Sequence, residues 1–138
     1  MRVVLDTNVF VSGIFWKGAP RKILELWEEH RFKLVISQKI FEEYSRVLHK
    51  LNQKFQLSSV EEILDHIPMH STFYSPPRIE TPICDDEKDQ MFLDLAVFCD
   101  AHYLVSGDDD LLRIKSYPGG VIVTPARFVQ ILSPLINS

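Results

Sequence analysis

Short, wholly apolar runs alternate along the chain with stretches in which apolar residues recur every three or four positions. Runs of the first kind, closed by a turn signal, predict buried strands; the second pattern predicts amphipathic helices. Val3-Val4-Leu5, ending in Asp6, thus predicts a strand over residues 2–6, and Phe32-Lys33-Leu34-Val35-Ile36 predicts a second. Residues 71–74 fit an edge strand, Tyr103-Leu104-Val105-Ser106 a buried one, and Val121-Ile122-Val123 the last. Pro20 suits a first helical turn, and Ile23, Leu24, Leu26 and Trp27 carry that helix to His30-Arg31, where cations suit the negative end. Ser37 is the expected N-cap of a longer helix whose stripe runs through Ile40, Phe41, Tyr44, Val47, Leu48 and Leu51. A shorter helix is expected over 59–67, ended by Pro68, and a strongly apolar one over Met91 to Phe98. Leu111-Leu112 begin a short helix, and Pro125 opens a final one through Leu132. Val11 to Gly18 reads as a loop punctuated by Gly13 and Gly18, Pro76, Pro77 and Pro82 as an extended loop, and Pro118-Gly119-Gly120 as a turn. Strands alternating with helices predict the α/β class: a three-layer α/β/α sandwich on a mainly parallel sheet, one domain over residues 1–138.

Composition adds exclusions. Apolar residues make up 46% and charged residues 25%, the balance of a globular protein. No apolar run is long enough to span a bilayer, and the N-terminus lacks a basic segment leading into an apolar one, so a cytoplasmic protein is expected. Cys84 and Cys99 form no CxxC pair, which excludes a disulfide framework and a thiolate zinc site. The net charge of −4 counts against a basic nucleic-acid-binding surface. Setting aside Asp6, Glu43, Asp86, Asp89, Asp108 and Asp110 leaves 13 of the 19 acids against 15 bases. A neutral-to-basic shell around an acidic pocket suits a phosphodiester substrate met by bound cations.

The candidate chemistry lies in acids at comparable places. Asp6 ends the first strand, Asp108 follows the Tyr103–Ser106 strand, and Asp89 starts a helix. In a parallel sheet, the C-terminal strand ends and the following helix N-termini share one edge, so the three are expected to converge. The Ser37 helix begins at the same edge and carries Glu42 and Glu43 in its first two turns. Glu43 lies three residues after Ile40 and four before Val47, on the apolar stripe; Glu42 precedes Arg46 by four, the spacing of a solvent-face ion pair. An acid on a buried stripe is costly unless paired or metal-bound, so Glu43 is the candidate fourth member. Carboxylates brought together repel, and a divalent cation resolves the conflict. All-oxygen ligands favour Mg²⁺ or Mn²⁺ over zinc and suit metal-assisted phosphodiester hydrolysis.

Four motifs in order carry a family resemblance. They are Leu5-Asp6-Thr7-Asn8-Val9 with Ser12, then Ser37 with Glu43-Tyr44-Ser45-Arg46-Val47-Leu48, then Cys84 to Ala96 with Asp86 and Asp89, then Tyr103-Leu104-Val105-Ser106-Gly107-Asp108-Asp109-Asp110-Leu111-Leu112. In these the sequence resembles the PIN-domain (PilT N-terminus) ribonucleases, in particular the VapC-related toxins of prokaryotic toxin–antitoxin systems, over residues 2 to about 130. The resemblance implies a PIN-like fold and an endoribonuclease using Mg²⁺ or Mn²⁺. It implies metal-ligating, catalytic acids at Asp6, Glu43, Asp89 and Asp108, with Asp86 and Asp110 beside them. Asn8 matches the residue that orients the first acid, and Ser106 the small polar residue before the fourth. Glu87 stands where the family commonly has proline, which alters the loop and leaves the acids intact. Implied partners are an RNA substrate, a cognate antitoxin and a second copy in a homodimer.

Each residue has a plainer reading. Asp6 alone fits a turn or helix cap, Asp89 an N-cap, Asp108 to Asp110 a solvated turn, and Glu43 a side chain at the margin of its stripe. Their joint convergence on one sheet edge favours the site. Lys17, Arg21, Lys39 and Arg46 are candidates to meet substrate phosphates, with Lys50 and Arg78 behind them; each alone fits a solubilising charge. Phe15 and Trp16 fit base stacking, or a packing or dimer role, and the five histidines fit surface or partly buried positions. The competing functions are a non-catalytic PIN-like module binding RNA or protein and, last, a receiver-like domain, which needs a lysine at a later strand end that is absent here.

Overall fold

Val3, Val4 and Leu5 are fully buried, and the strand they form, β1 (Arg2–Leu5), lies inside a six-stranded sheet. The computed structural model describes residues 1–55, 60–77, 84 and 87–136, with the side chains of the last helix to Ser133. After β1 come α1 (Thr7–Phe15), α2 (Ala19–Glu28), β2 (Lys33–Ser37), α3 (Gln38–Phe55), α4 (Val60–Met69) and β3 (Ser71–Tyr74). A 3₁₀ turn (Glu87–Asp89) then leads into α5 (Gln90–Phe98), followed by β4 (Tyr103–Val105), α6 (Asp109–Leu112), β5 (Ser116–Tyr117), β6 (Gly120–Val123) and α7 (Pro125–Ile136).

The sheet order is β3-β2-β1-β4-β6-β5. All neighbours are parallel except β5, which runs antiparallel to β6. The chain moves from β1 outward through β2 to β3, then returns to the other side of β1 for β4, in the register Val3 to Tyr103 and Leu5 to Val105. The reversal opens a crevice at the carboxyl ends of β1 and β4, the usual ligand position in such sheets. The mainly parallel α/β architecture flanked by helices is thus the expected one.

Aromatic packing fixes the helices next to that crevice. Phe10 of α1 stacks on Tyr44 of α3 at 4.5 Å and meets Trp27 of α2 edge-on at 6.0 Å. The Tyr44 hydroxyl donates to the carbonyl of Leu5, the last residue of β1. Phe128 of α7 meets Phe32 and Tyr103 edge-on, while α5 packs on β1, β2 and β4.

Several expectations need correction. Only Trp16 to Gly18 of the expected loop from Val11 to Gly18 is a connection: α1 starts straight after Asp6 and runs to Phe15. Gly13 sits inside this helix because a Cβ there would come within 2.7 Å of the Pro20 carbonyl oxygen and of Leu24. Pro68 does not end α4; it occupies the last turn, which reaches Met69. The final helix continues past Leu132 to Ile136. Strand β5 has no counterpart in the apolar pattern, since two residues show no periodicity. Ser59, Arg78, Pro82 and Asp86 lie outside the described residues.

Candidate active site

The site is built on the direct passage from strand to helix at β1. Asp6 is the N-cap of α1: its Oδ1 accepts the Asn8 N–H at 3.4 Å and its carbonyl accepts the Phe10 N–H at 3.1 Å. Only 4% of Asp6 is exposed. Across the crevice, Ser106 follows β4 and is fully buried. Its hydroxyl donates to Asp6 Oδ2 at 2.6 Å and accepts the Asp108 N–H at 2.9 Å. Asp108 in turn caps α6, its Oδ1 accepting the Asp110 N–H at 2.9 Å. One serine therefore ties the acid after β1 to the acid after β4.

Asp89 closes the 3₁₀ turn at the head of α5 and makes no capping bond to that helix. Its carboxylate lies with those of Asp108 and Asp110 so that one oxygen from each falls within 4.8 Å of the others. Asp89 also faces Asp6 and Glu43 across a cavity of about 650 Å³. Thr7 and Asn8 line that cavity from α1, Lys39 and Arg46 from α3, and residues Glu87 to Phe92 with Asp94 from the third side. The positive N-terminal ends of α1, α3 and α5 open toward it, which favours bound carboxylates and anions.

The electrostatics record the crowding. Burial raises the Asp6 carboxyl above its ordinary value, and the charge of Asp108 raises it further; the bonds from Ser106, Asn8 and Thr7 pull the other way. Burial and the Asp6 charge hold the Tyr44 phenol far above its ordinary range, so it stays a neutral donor. Asp6 is thus short of positive charge in this geometry. The Thr7 hydroxyl, 5% exposed in the same lining, has no hydrogen-bond partner among the described residues. A hard divalent cation fits this all-oxygen donor set: Asp89, Asp108 and Asp110 as a group, with Asp6 and Glu43 alongside.

Glu43 occupies the cavity wall, but its pairing differs from expectation. Arg46 bonds Glu43, with 2.7 Å to Oε1 and 3.2 Å to Oε2, while Glu42 accepts from Gln38 instead. The reason is geometric: positions three apart share a helix face as well as positions four apart. Among the candidate phosphate ligands, Lys39 and Arg46 line the cavity, while Lys17, Arg21 and Lys50 do not. Arg21 is used elsewhere, donating to the Gly13 and Ile14 carbonyls at 2.6 and 2.9 Å and so closing the end of α1. Asn8 reaches Asp6 through its backbone N–H. Phe15 and Trp16 pack with Phe55.

One acid escaped the sequence reading. Asp94 is 8% exposed, lies on α5 among Phe92, Leu93, Leu95 and Ala96, and accepts a 2.9 Å bond from Gln90. Gln90 accepts in turn from the Cys84 N–H at 2.7 Å. A carboxylate inside an apolar helix is the signal that could have found it, because burial there demands partners.

Comparison with known proteins agrees with this architecture. A chain of VapBC2 from Rickettsia felis, in a crystal structure bound to a DNA fragment from its promoter, superposes with a TM-score of 0.59 at 18% identity; the match covers 90% of this chain and 98% of that one. The uncharacterized protein MJ1680 of Methanocaldococcus jannaschii is 29% identical over 118 residues, 83% of this chain and 76% of its own length. Residues 2–110, which hold β1, the whole of β4 and every acid described above, match the PIN domain, and the chain belongs to that family.

Proposed function

We propose that this protein is a Mg²⁺- or Mn²⁺-dependent endoribonuclease that acts in the cytoplasm as the toxin of a type II toxin–antitoxin pair. The observation that carries the reading is the convergence of Asp6, Glu43 and Asp89 on one cavity, with Asp108 and Asp110 clustered against Asp89. Asp89, Asp108 and Asp110 would hold the cation, with Asp6 and Glu43 completing its surroundings. A cation bound there supplies Lewis-acid charge to the phosphodiester and acidifies the attacking water. Lys39 and Arg46 sit on the cavity rim on α3 and meet the phosphates on either side of the scissile bond. Ser106 holds Asp6 in place by donating to Oδ2, and the buried Tyr44 phenol holds the end of β1 by donating to Leu5. The acids on the cavity wall offer the base that takes the water's proton.

The family and the fold shared with a VapBC2 chain support a cognate antitoxin as partner; that it covers the acidic cavity, and that the protein is a homodimer, belong to the same proposal. The test is cleavage of single-stranded RNA by the purified protein with Mg²⁺ or Mn²⁺, beside Asp6→Asn and Asp89→Asn. Cleavage by the wild type alone is expected, and light scattering should give twice the chain mass. RNA binding without cleavage under either metal would refute the enzyme and leave a non-catalytic RNA-binding module.

A further inference from the structure

Beyond the cavity, α3 carries a row of cations. Lys39, Arg46, Lys50 and Lys54 lie seven, four and four residues apart, so they share one face of the helix. Lys39 and Arg46 line the acidic cavity; Lys50 and Lys54 continue the row away from it. From first to last the row runs about 22 Å along the helix axis. All four side chains belong to exposed residues, and of the four only Arg46 has an acidic partner among the described residues, Glu43. The row ends at an aromatic patch. Lys54 Nζ sits 5.7 Å from the centre of the Phe55 ring, and Phe55 packs with Phe15 and edge-on with Trp16, each at 5.6 Å. Trp16 remains 46% exposed and Phe55 44%.

A helix face kept for solubility alone sets acids and bases four residues apart, because opposite charges attract at that spacing. Arg46, Lys50 and Lys54 do the reverse, and like charges four apart repel. The negative end of α3 favours Lys54 but lies more than a turn beyond Lys50. In a chain of net charge −4, an uncompensated row of cations calls for an anionic partner. We propose that this row is a track for single-stranded RNA, which leads the strand out of the acidic cavity and seats a base on Trp16 and Phe55. The inference rests on the ribonuclease reading for its substrate, and it adds where the RNA beyond the cut lies. Single strands are held by a positive surface that follows the backbone and by aromatic rings on which bases stack. Four residues of helix rise about 6 Å, close to the step between phosphates of an extended strand, so Arg46, Lys50 and Lys54 meet successive phosphates. Lys39 and Arg46 belong to both the cavity wall and the row, which makes the track continuous with the site. Lys54, held at the Phe55 ring, sets the last phosphate contact beside the stacking platform.

Fluorescence anisotropy with labelled oligouridylates tests this on the metal-free protein, with the cation withheld so that nothing is cut. Affinity should rise with length over roughly four to eight nucleotides and then level off. Lys50→Gln and Lys54→Gln should each weaken binding about fourfold near physiological salt and reduce the slope of log affinity against log salt by about 0.7. Trp16→Ala should weaken it about tenfold, while Trp16→Phe, which keeps a ring, should retain most of the affinity. With Mn²⁺ present, Lys50→Gln, Lys54→Gln and Trp16→Ala should raise KM for a long RNA and leave kcat unchanged. Affinity independent of length, no binding by the wild type, or an unchanged affinity and salt slope in the two lysine variants would overturn the track. So would a Trp16→Ala variant that turns a dimer into a monomer in light scattering and binds RNA as before, which would make the patch an interface between protein chains. RNA binding that follows these variants without any cleavage keeps the track and loses the nuclease reading; cleavage whose KM ignores all three variants does the reverse.

Discussion

Replacing Ser106 by alanine removes one oxygen and breaks two bonds, the 2.6 Å bond to Asp6 Oδ2 and the 2.9 Å bond from the Asp108 N–H. The site is fully buried, so water does not replace the hydroxyl without rearrangement. A hydrogen bond to a charged acceptor contributes about 1.5–3 kcal/mol, and a backbone N–H left without its partner costs about 1 kcal/mol more when partly buried. Together they predict a loss of about 2.5–4 kcal/mol, a large share of the ~5–15 kcal/mol that keeps a domain folded. For a chain of this length that lowers Tm by roughly 9–14 °C. The same change acts on the acids. The Ser106 bond opposes the burial that raises the Asp6 carboxyl, so its loss raises that carboxyl further. Mn²⁺ must then compete with a proton over a higher pH range. Urea denaturation gives the stability, and Mn²⁺ titration at several pH values gives the second effect as a shift of the binding midpoint toward higher pH. An unchanged Tm together with an unchanged pH midpoint would refute the serine bridge. A lower Tm with an unchanged midpoint would reduce Ser106 to a packing residue.

Asp6→Asn should abolish RNA cleavage and yet stabilise the metal-free protein at neutral pH. The folded carboxyl lies above its ordinary 3.8, so its contribution to stability is present below that value and is lost as pH rises through the raised one; thermal melts of the wild type should show this slope and those of the variant should not. Arg46→Ala should tighten Mn²⁺ binding roughly 2–5-fold by releasing Glu43 from a surface pair, while raising KM for RNA; isothermal titration and kinetics measure the two opposite effects. His49, bonded to Glu61 across α3 and α4 at 2.9 Å, should titrate above 6.5 by NMR, and Glu61→Gln should lower it; its stabilising contribution is present at low pH and is lost as pH rises through the raised value. Gly13→Ala should cost about 1–3 kcal/mol in denaturant titration, because the added methyl meets the Pro20 backbone, which cannot turn away.

What the sequence displayed well was whatever burial enforces over several residues. The apolar runs at β1, β2 and β4 are buried on both faces, and that requirement leaves a mark no surface pressure blurs. Helix α1 is hidden because a glycine within it points elsewhere. Gly13 suggests a break, yet the glycine is there for the close approach of α2, through Pro20 and Leu24, which sequence alone does not place beside it. Asp6 and Asp108 were visible because each follows an apolar strand at one sheet edge. Arg21 and Arg46 were ambiguous for a different reason: a long cation's position in sequence does not say whether it reaches a carbonyl, a neighbouring acid or the cavity. Asp94 was passed over because the strong apolar signal of α5 surrounds it, although that surrounding is the very reason a buried acid there requires partners.

The bond between Ser106 and Asp6 joins residues 100 positions apart. Asp6 is made 100 residues before Ser106, and β4, which completes the central pairing with β1, lies just ahead of that serine. Domains are made N-terminus first, and pairings of this range form late. Until β4 is made, the nascent chain therefore carries its first acid with no serine to orient it and no Asp108 beside it. On the proposed ribonuclease reading, an acidic centre active on the ribosome would endanger its own message and its own translation. This strand order delays assembly of the acidic centre until β4 has emerged, and chains broken off before β4 carry no such centre at all.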